Sequence, residues 1–133
     1  MEAPDRYFTL QEAQAQVPWL QQTFDSIEPL SHELERAKQR VQRLMTRIQS
    51  NGGANPEQEL AVATHALHEV KESIDELAYA IVERDIILRT VEGLVDFPSM
   101  RDGRLVYLCW LAGESQIAHW HESDVGFAAR QPL

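Results

Sequence analysis

An apolar residue recurs at every seventh position from Leu20 through Ile27, Leu34 and Val41 to Ile48, and Leu30, Ala37 and Leu44 fill the intermediate spacings of three and four. Residues with that period share one side of an α-helix, so four heptads of it commit the stretch to a long helix with a coiled-coil seam. A second stripe follows at Leu60, Ala63, Leu67, Val70, Ile74, Leu77 and Ile81. Between the two, Ser50-Asn51-Gly52-Gly53-Ala54 reads as a turn, and two heptad helices joined so closely must run antiparallel. A lone hairpin leaves each stripe half exposed. The pattern therefore asks for another layer, either the C-terminal segment or a second copy, and the expected assembly is a homodimer through the helical hairpin.

The helix ends carry their own signals. Thr9-Leu10-Gln11-Glu12 is a capping box, in which the hydroxyl and the carboxylate satisfy backbone N–H groups that have no helical partner. Pro18 is expected to cut a first helix short, a longer one restarting around it, and Pro29 to kink that longer helix. Asn55-Pro56-Glu57-Gln58 reads as an N-cap, a proline at the first helical position and a glutamine at the third.

The chain has 133 residues and is expected to form a single domain over 1–133, with a helical hairpin over 7–84 and a β-rich segment over 85–133. No apolar run approaches the roughly 18 residues a membrane span requires, and Met1 to Arg6 lacks the apolar core of a secretory signal. The net charge of −9 repels phosphate backbones and anionic lipid. The basic run from Arg36 to Arg47 is interleaved with the apolar stripe, so it reads as a solvated helix face and neither nucleic acid nor membrane is an expected partner. A single cysteine, Cys109, excludes an intrachain disulfide and points to a cytoplasmic location.

On the second helix, His65 with Glu69 and His68 with Glu72 stand four apart. That spacing offers either metal ligands on one face or ordinary exposed ion pairs. The Glu-x-x-His spacing of di-iron bundles is absent, so ion pairs are the expectation.

Past Arg84 the rhythm changes. Ile86-Ile87-Leu88 and Leu94-Val95-Asp96-Phe97 are short runs suited to strands, and Pro98 to Gly103 reads as a loop with an Asp-Gly turn. Arg104 to Leu111 reads as a strand, with Gln116 to His121 as its antiparallel partner. A tight turn centred on Gly113-Glu114 would set Leu108 opposite His119 and Val106 opposite His121, leaving Cys109 on the other face. A slip of one residue would instead bring Cys109 beside His119. The tighter turn is the expectation, so Cys109 is read as a small buried thiol.

The cluster His119-Trp120-His121-Glu122-Ser123-Asp124 carries the most chemical content. Two imidazoles two apart on a strand point the same way and can reach one divalent ion such as Zn²⁺, with Glu122 and Asp124 completing the set or fixing a tautomer. The alternative is a polar network without metal. Arg130 is expected to pair with Glu122, Asp124 or Asp96, or else to form an anion clamp with Arg101. Phe127 and Leu133 are expected to be buried.

Arg6-Tyr7-Phe8-Thr9-Leu10, Gly93-Leu94-Val95-Asp96-Phe97-Pro98, Arg101-Asp102-Gly103, Leu108-Cys109-Trp110, and Trp120-His121-Glu122 through Gly126-Phe127 to Arg130-Gln131-Pro132-Leu133 together resemble an uncharacterised prokaryotic family, domain of unknown function 2203. The resemblance covers nearly the whole chain. Its specific part is residues 93–133, the hairpin matching only in pattern. It implies a small cytoplasmic protein and names no activity. His121 and Glu122 belong to the family's pattern and a histidine at 119 does not, which moves weight towards His121, Glu122, Asp124 and Arg130.

The fold expected is α+β, a long coiled-coil-like antiparallel helical hairpin with a small, mainly antiparallel sheet. Three functions follow: a binding module for a divalent metal or small polar ligand, a structural coiled-coil adaptor for a protein partner, or a hydrolase-like enzyme using His121 as general base.

Overall fold

The structure, a computed structural model, describes residues 3–50 and 56–133. Helices α1 (Leu10–Gln49) and α2 (Pro56–Val82) are followed by strands β1 (Ile87–Thr90), β2 (Leu94–Arg101), β3 (Arg104–Leu111), β4 (His119–Glu122) and β5 (Gln131–Pro132), with one 3₁₀ turn at Phe127–Ala129. The five strands form one antiparallel sheet in chain order. The class is α+β, as the heptads and the change of rhythm predict. Among the described residues, no helix is long and apolar enough to cross a membrane.

The chain falls into two compact units: Ser26–Leu77, and the residues up to Asp25 together with Ala78–Leu133. In the first, the two helical segments enclose Leu44, Ala63, Val70 and Ile74, and Arg47 Nη1 donates to Glu59 Oε2 at 3.0 Å between them. Other stripe positions of this unit, Leu34, Val41, Leu60 and Leu67 among them, are only half-buried. His65 and Glu69 form a solvent-exposed pair at 3.1 Å, the ion-pair reading of that spacing. The turn expected at 51–54 and the cap expected at Asn55 lie outside the described residues.

The capping box forms as the sequence indicates: Thr9 N–H donates to Glu12 Oε1 at 2.8 Å and Glu12 N–H to Thr9 Oγ1 at 3.0 Å. The expected break at Pro18 does not occur, and α1 runs on through both Pro18 and Pro29. Both prolines lie on the exposed side of the helix, opposite Val17, Leu20, Phe24 and Ile27. The carbonyls each proline leaves without an N–H partner can therefore be met by water, which lowers the usual cost of an internal proline.

In the second unit, β2 and β3 carry the core. Val95, Phe97, Val106, Leu108 and Trp110 share one face by strand alternation and are almost wholly enclosed. That face meets the N-terminal part of the chain: Phe8 packs edge-on against Phe97 at 5.1 Å between centroids, and Phe24 lies 6.1 Å from Trp110. Asp102 and Gly103, both at positive φ, close the β2–β3 hairpin as the Asp-Gly signal predicts. The loop expected from Pro98 is instead strand, β2 continuing to Arg101. β1 ends its pairing at Asp96, and beyond it the Pro98 carbonyl accepts the Phe8 N–H at 2.7 Å. Pro98 thus sits where no ladder donor is required of it.

The β3–β4 connection also departs from expectation. β4 is His119–Glu122 rather than Gln116 to His121, and Cys109 pairs with His119 while Tyr107 pairs with His121. A two-residue glycine turn does not form, because Glu114 organises the bend. Its Oε1 accepts from Leu111 N–H at 2.8 Å, its N–H donates to the Leu111 carbonyl, and its own carbonyl accepts from Trp110 Nε1 at 3.1 Å. Helix α1 then supplies partners for the rest of the connection, Gln21 Oε1 taking Gly113 N–H and Gln14 Oε1 taking Ile117 N–H, each at 2.8 Å.

Candidate functional site

The longer connection changes which side chains share a face. Asp96 of β2 is opposite Cys109 of β3, which is opposite His119 of β4, and Tyr107 is opposite His121. Pleating places all five on the side of the sheet turned away from the Phe97 and Trp110 core. Asp96, Cys109 and His121 are buried, and their ligand atoms all lie within 4.8 Å of one another. Among the described residues they are the one group of three side chains with metal-ligand chemistry so placed.

His121 is held at both ring nitrogens. Nδ1 lies 2.9 Å from the Glu122 carbonyl oxygen and Nε2 lies 3.0 Å from Asp96 Oδ1. A carbonyl oxygen only accepts, so Nδ1 carries the proton and donates. Nε2 then faces the Asp96 carboxyl, so one shared proton or a bound cation must lie between the two.

Asp96 gives its other oxygen to Arg89, whose Nε donates to Oδ2 at 2.8 Å. A bulge between Leu88 and Thr90 leaves Arg89 with no cross-strand partner, and its guanidinium lies 5.2 Å from the Tyr107 ring centroid. Burial pushes the Cys109 thiol up to about 11. The Asp96 charge adds to the rise, and the Arg130 guanidinium opposes it. This is the environment of an inert thiol unless a metal takes the proton's place.

A cleft of about 400 Å³ opens beside the group, lined by Arg89, Asp96 and His121 and by Ser123–Phe127 of the C-terminal strap. The strap is tied down by β5, by Leu133 N–H donating to the Ala118 carbonyl at 2.9 Å, and by Arg130 Nη1 donating to Glu114 Oε2 at 3.1 Å. A larger groove of about 780 Å³ runs past Leu10, Gln14, Ile117 and Leu133 and is lined by no titratable side chain, whereas Arg89, Asp96, His121 and Asp124 line the smaller cleft.

The residues singled out from the sequence are dispersed. His121 and Asp96 join at the centre, and Asp124 lines the cleft without entering the buried group. His119 lies next to Cys109, its Nδ1 buried with no hydrogen-bond partner among the described residues. Glu122 is on the opposite face of β4, where Arg104 grips it through two bonds at 2.6 and 3.0 Å and holds its carboxyl below the usual range. Arg130 pairs with Glu114 rather than with Glu122, Asp124 or Asp96, and Arg101 stacks 4.3 Å from the Trp120 ring on the core side, so the two arginines form no clamp. Phe127 and Leu133, expected to be buried, are 40% and 47% exposed.

Sequence reasoning missed Arg89 and Tyr107, and it set Cys109 on the wrong face. One signal was present: Asp96 is a lone carboxylate inside the apolar run Leu94-Val95-Asp96-Phe97. A buried carboxylate must find partners, and the two residues bonded to it here are Arg89 and His121.

No curated protein and no solved structure matches the chain. Residues 6–133 match the family described as "Uncharacterized conserved protein (DUF2203)", and across nearly the whole chain that match makes this protein a member of the family.

Proposed function

We propose that this protein is a small binding module whose site takes one divalent cation, Zn²⁺ or a similar borderline ion, between Asp96, Cys109 and His121. The observation that carries this reading is the double commitment of His121: Nδ1–H spent on the Glu122 carbonyl, Nε2 turned to Asp96 with Cys109 alongside. Metal-bound histidines typically donate their second ring N–H to a backbone carbonyl or carboxylate, which fixes the tautomer. Ligand atoms around a tetrahedral Zn²⁺ stand roughly 3.3–3.8 Å apart at its usual bond lengths. The three atoms already lie within 4.8 Å of one another, so binding would need them only to close to that spacing. Arg89 on the outer oxygen of Asp96 orients the carboxylate, and three protein ligands leave a fourth position for the cleft.

The same geometry weighs against His121 as a general base, since neither ring nitrogen is free to take a proton from a substrate. It weighs equally against Cys109 as an activated nucleophile, because its thiol is raised rather than lowered.

Elemental analysis of protein purified without a histidine tag tests the reading. One equivalent of metal is expected, lost in both His121→Ala and Cys109→Ser. Replacement by Co²⁺ should add a thiolate charge-transfer band that Cys109→Ser removes. Metal-free protein that fails to take up Zn²⁺ at equimolar concentration leaves a self-satisfied polar network and the structural-adaptor reading.

We propose in addition that the protein is a homodimer through Ser26–Leu77, in a cytoplasmic setting where a lone cysteine stays reduced. Support comes from the half-buried stripe, from exposed Met45 and Val62, and from the charge order along α1. Glu28, Glu33 and Glu35 precede Arg36, Lys38, Arg40, Arg43 and Arg47, so an antiparallel second copy sets opposite charges together. Sedimentation at high micromolar concentration should give twice the monomer mass. A clean monomer overturns the proposal.

A further inference from the structure

We infer that the cleft beside the cation position takes a short 2-hydroxy or 2-oxo monocarboxylate, its carboxylate on Arg89 and its adjacent oxygen on the cation, an inference that rests on the metal reading above. Arg89 is the cleft's available anion receptor. Among the described residues only its Nε is spent, on Asp96 Oδ2, and that bond together with the Tyr107 ring fixes the guanidinium plane. Its two terminal amino groups remain as a planar fork, the shape that pairs with a carboxylate through two parallel bonds. The other guanidinium near the buried group, Arg130, is held by Glu114 and stacks 4.3 Å from the Phe127 ring.

The class of ligand follows from the spacing of the two anchors. Asp96 presents one oxygen to Arg89 and the other to His121 and the cation position, so the anchors are separated by a single carboxylate group. A ligand that touches both brings its carboxylate and its metal-binding oxygen close together, the arrangement that 2-hydroxy and 2-oxo acids offer on neighbouring carbons. Asp124 also lines the cleft and opposes a second negative group at the outer end, which disfavours dicarboxylates. Leu94, Val125 and Phe127 in the same wall accommodate a short apolar tail.

The test uses the full chain loaded with Zn²⁺ or Co²⁺, with metal stoichiometry measured first, and compares lactate with lactamide by calorimetry. Lactate is expected to bind about ten-fold or more tightly than lactamide and to alter the visible spectrum of the Co²⁺ form. Arg89→Gln should lower lactate affinity by about ten-fold or more, compared at equal metal content after loading. Loaded protein that binds neither probe, or both alike, overturns the inference and leaves the metal reading standing. Wild-type protein that holds no stoichiometric metal overturns the metal reading itself. Should Arg89→Gln fail to fold for want of its bond to Asp96, the lactate and lactamide comparison on the wild-type chain decides alone.

Discussion

Nε2 of His121 lies 3.0 Å from Oδ1 of Asp96, and only 1% of one residue and 3% of the other reaches solvent. Enclosed partners of this kind are asymmetric in their energetics. Removing one leaves the other buried without compensation, at a cost of about 3–5 kcal/mol, whereas removing both is much cheaper than the sum. In metal-stripped protein, His121→Ala and Asp96→Ala should each lose stability on that scale in urea. The double variant should lose less than the two added together. Strict additivity would show that the two side chains do not depend on each other.

Glu122 offers the contrast, since it adjoins His121 in sequence yet faces Arg104. Glu122→Gln should leave metal content at the wild-type level, where His121→Ala abolishes it. Its carboxyl is held low, first by the hydrogen bond from Arg104 and then by that residue's charge and Arg101's. A lowered carboxyl stabilises the fold above its ordinary pKa, and the contribution fades as pH falls through the folded value. The exposed pair should therefore matter little, weaken in salt, and be lost on acidification. A metal-free Glu122→Gln protein would place this residue in the site after all.

Cys109 should leave its mark at alkaline pH. Its thiol is raised from 9.0 to about 11, chiefly by burial, so between those values the unfolded chain loses a proton that the folded chain keeps. Stability is then fully present below about pH 9 and declines towards pH 11. Urea midpoints of metal-stripped wild type should fall across that window more steeply than those of Cys109→Ala. Equal slopes would refute the assignment. In the same form, thiol reagents at neutral pH should react far more slowly than with a free cysteine.

Gly93 has φ of +135°, and a Cβ placed there would stand 2.4 Å from Cβ of Ala112. The close approach accompanies the bond from Ala112 N–H to the Gly93 carbonyl at 2.8 Å, where the turn before β2 meets the end of β3. Gly93→Ala should cost more than about 1 kcal/mol through backbone strain and overlap together. Gly93→Ala combined with Ala112→Gly should recover the overlap part only. A single variant of wild-type stability in thermal unfolding would contradict this.

The hairpin was legible because its signal is long: Leu20 to Ile48 repeats one period often enough that neither proline could obscure it. The same period sets Pro18 and Pro29 two positions off Leu20 and Ile27, on the outer side of the helix, where a missing N–H need not interrupt it. The sheet was legible as runs of apolar residues, and Asp102-Gly103 fixed one turn. The buried group was not legible as a set. Its membership turns on a one-residue difference in β3–β4 register, and that register depends on the Glu114 side chain and on two glutamines of α1. Arg89 was hidden for a similar reason, since a bulge breaks the alternation that would have assigned its face.

Gln14 and Gln21 stand 103 and 92 positions from the amides they bond. Neither belongs to the buried group, and each is replaceable by the ordinary rules for a helix surface. Anyone grafting β2, β3 and β4 onto another scaffold to borrow their polar cluster would nonetheless have to carry these two amide side chains along. Left behind, they would free the segment after Leu111 to shorten into a tight turn, and the imidazole and the thiol would part company across the strand.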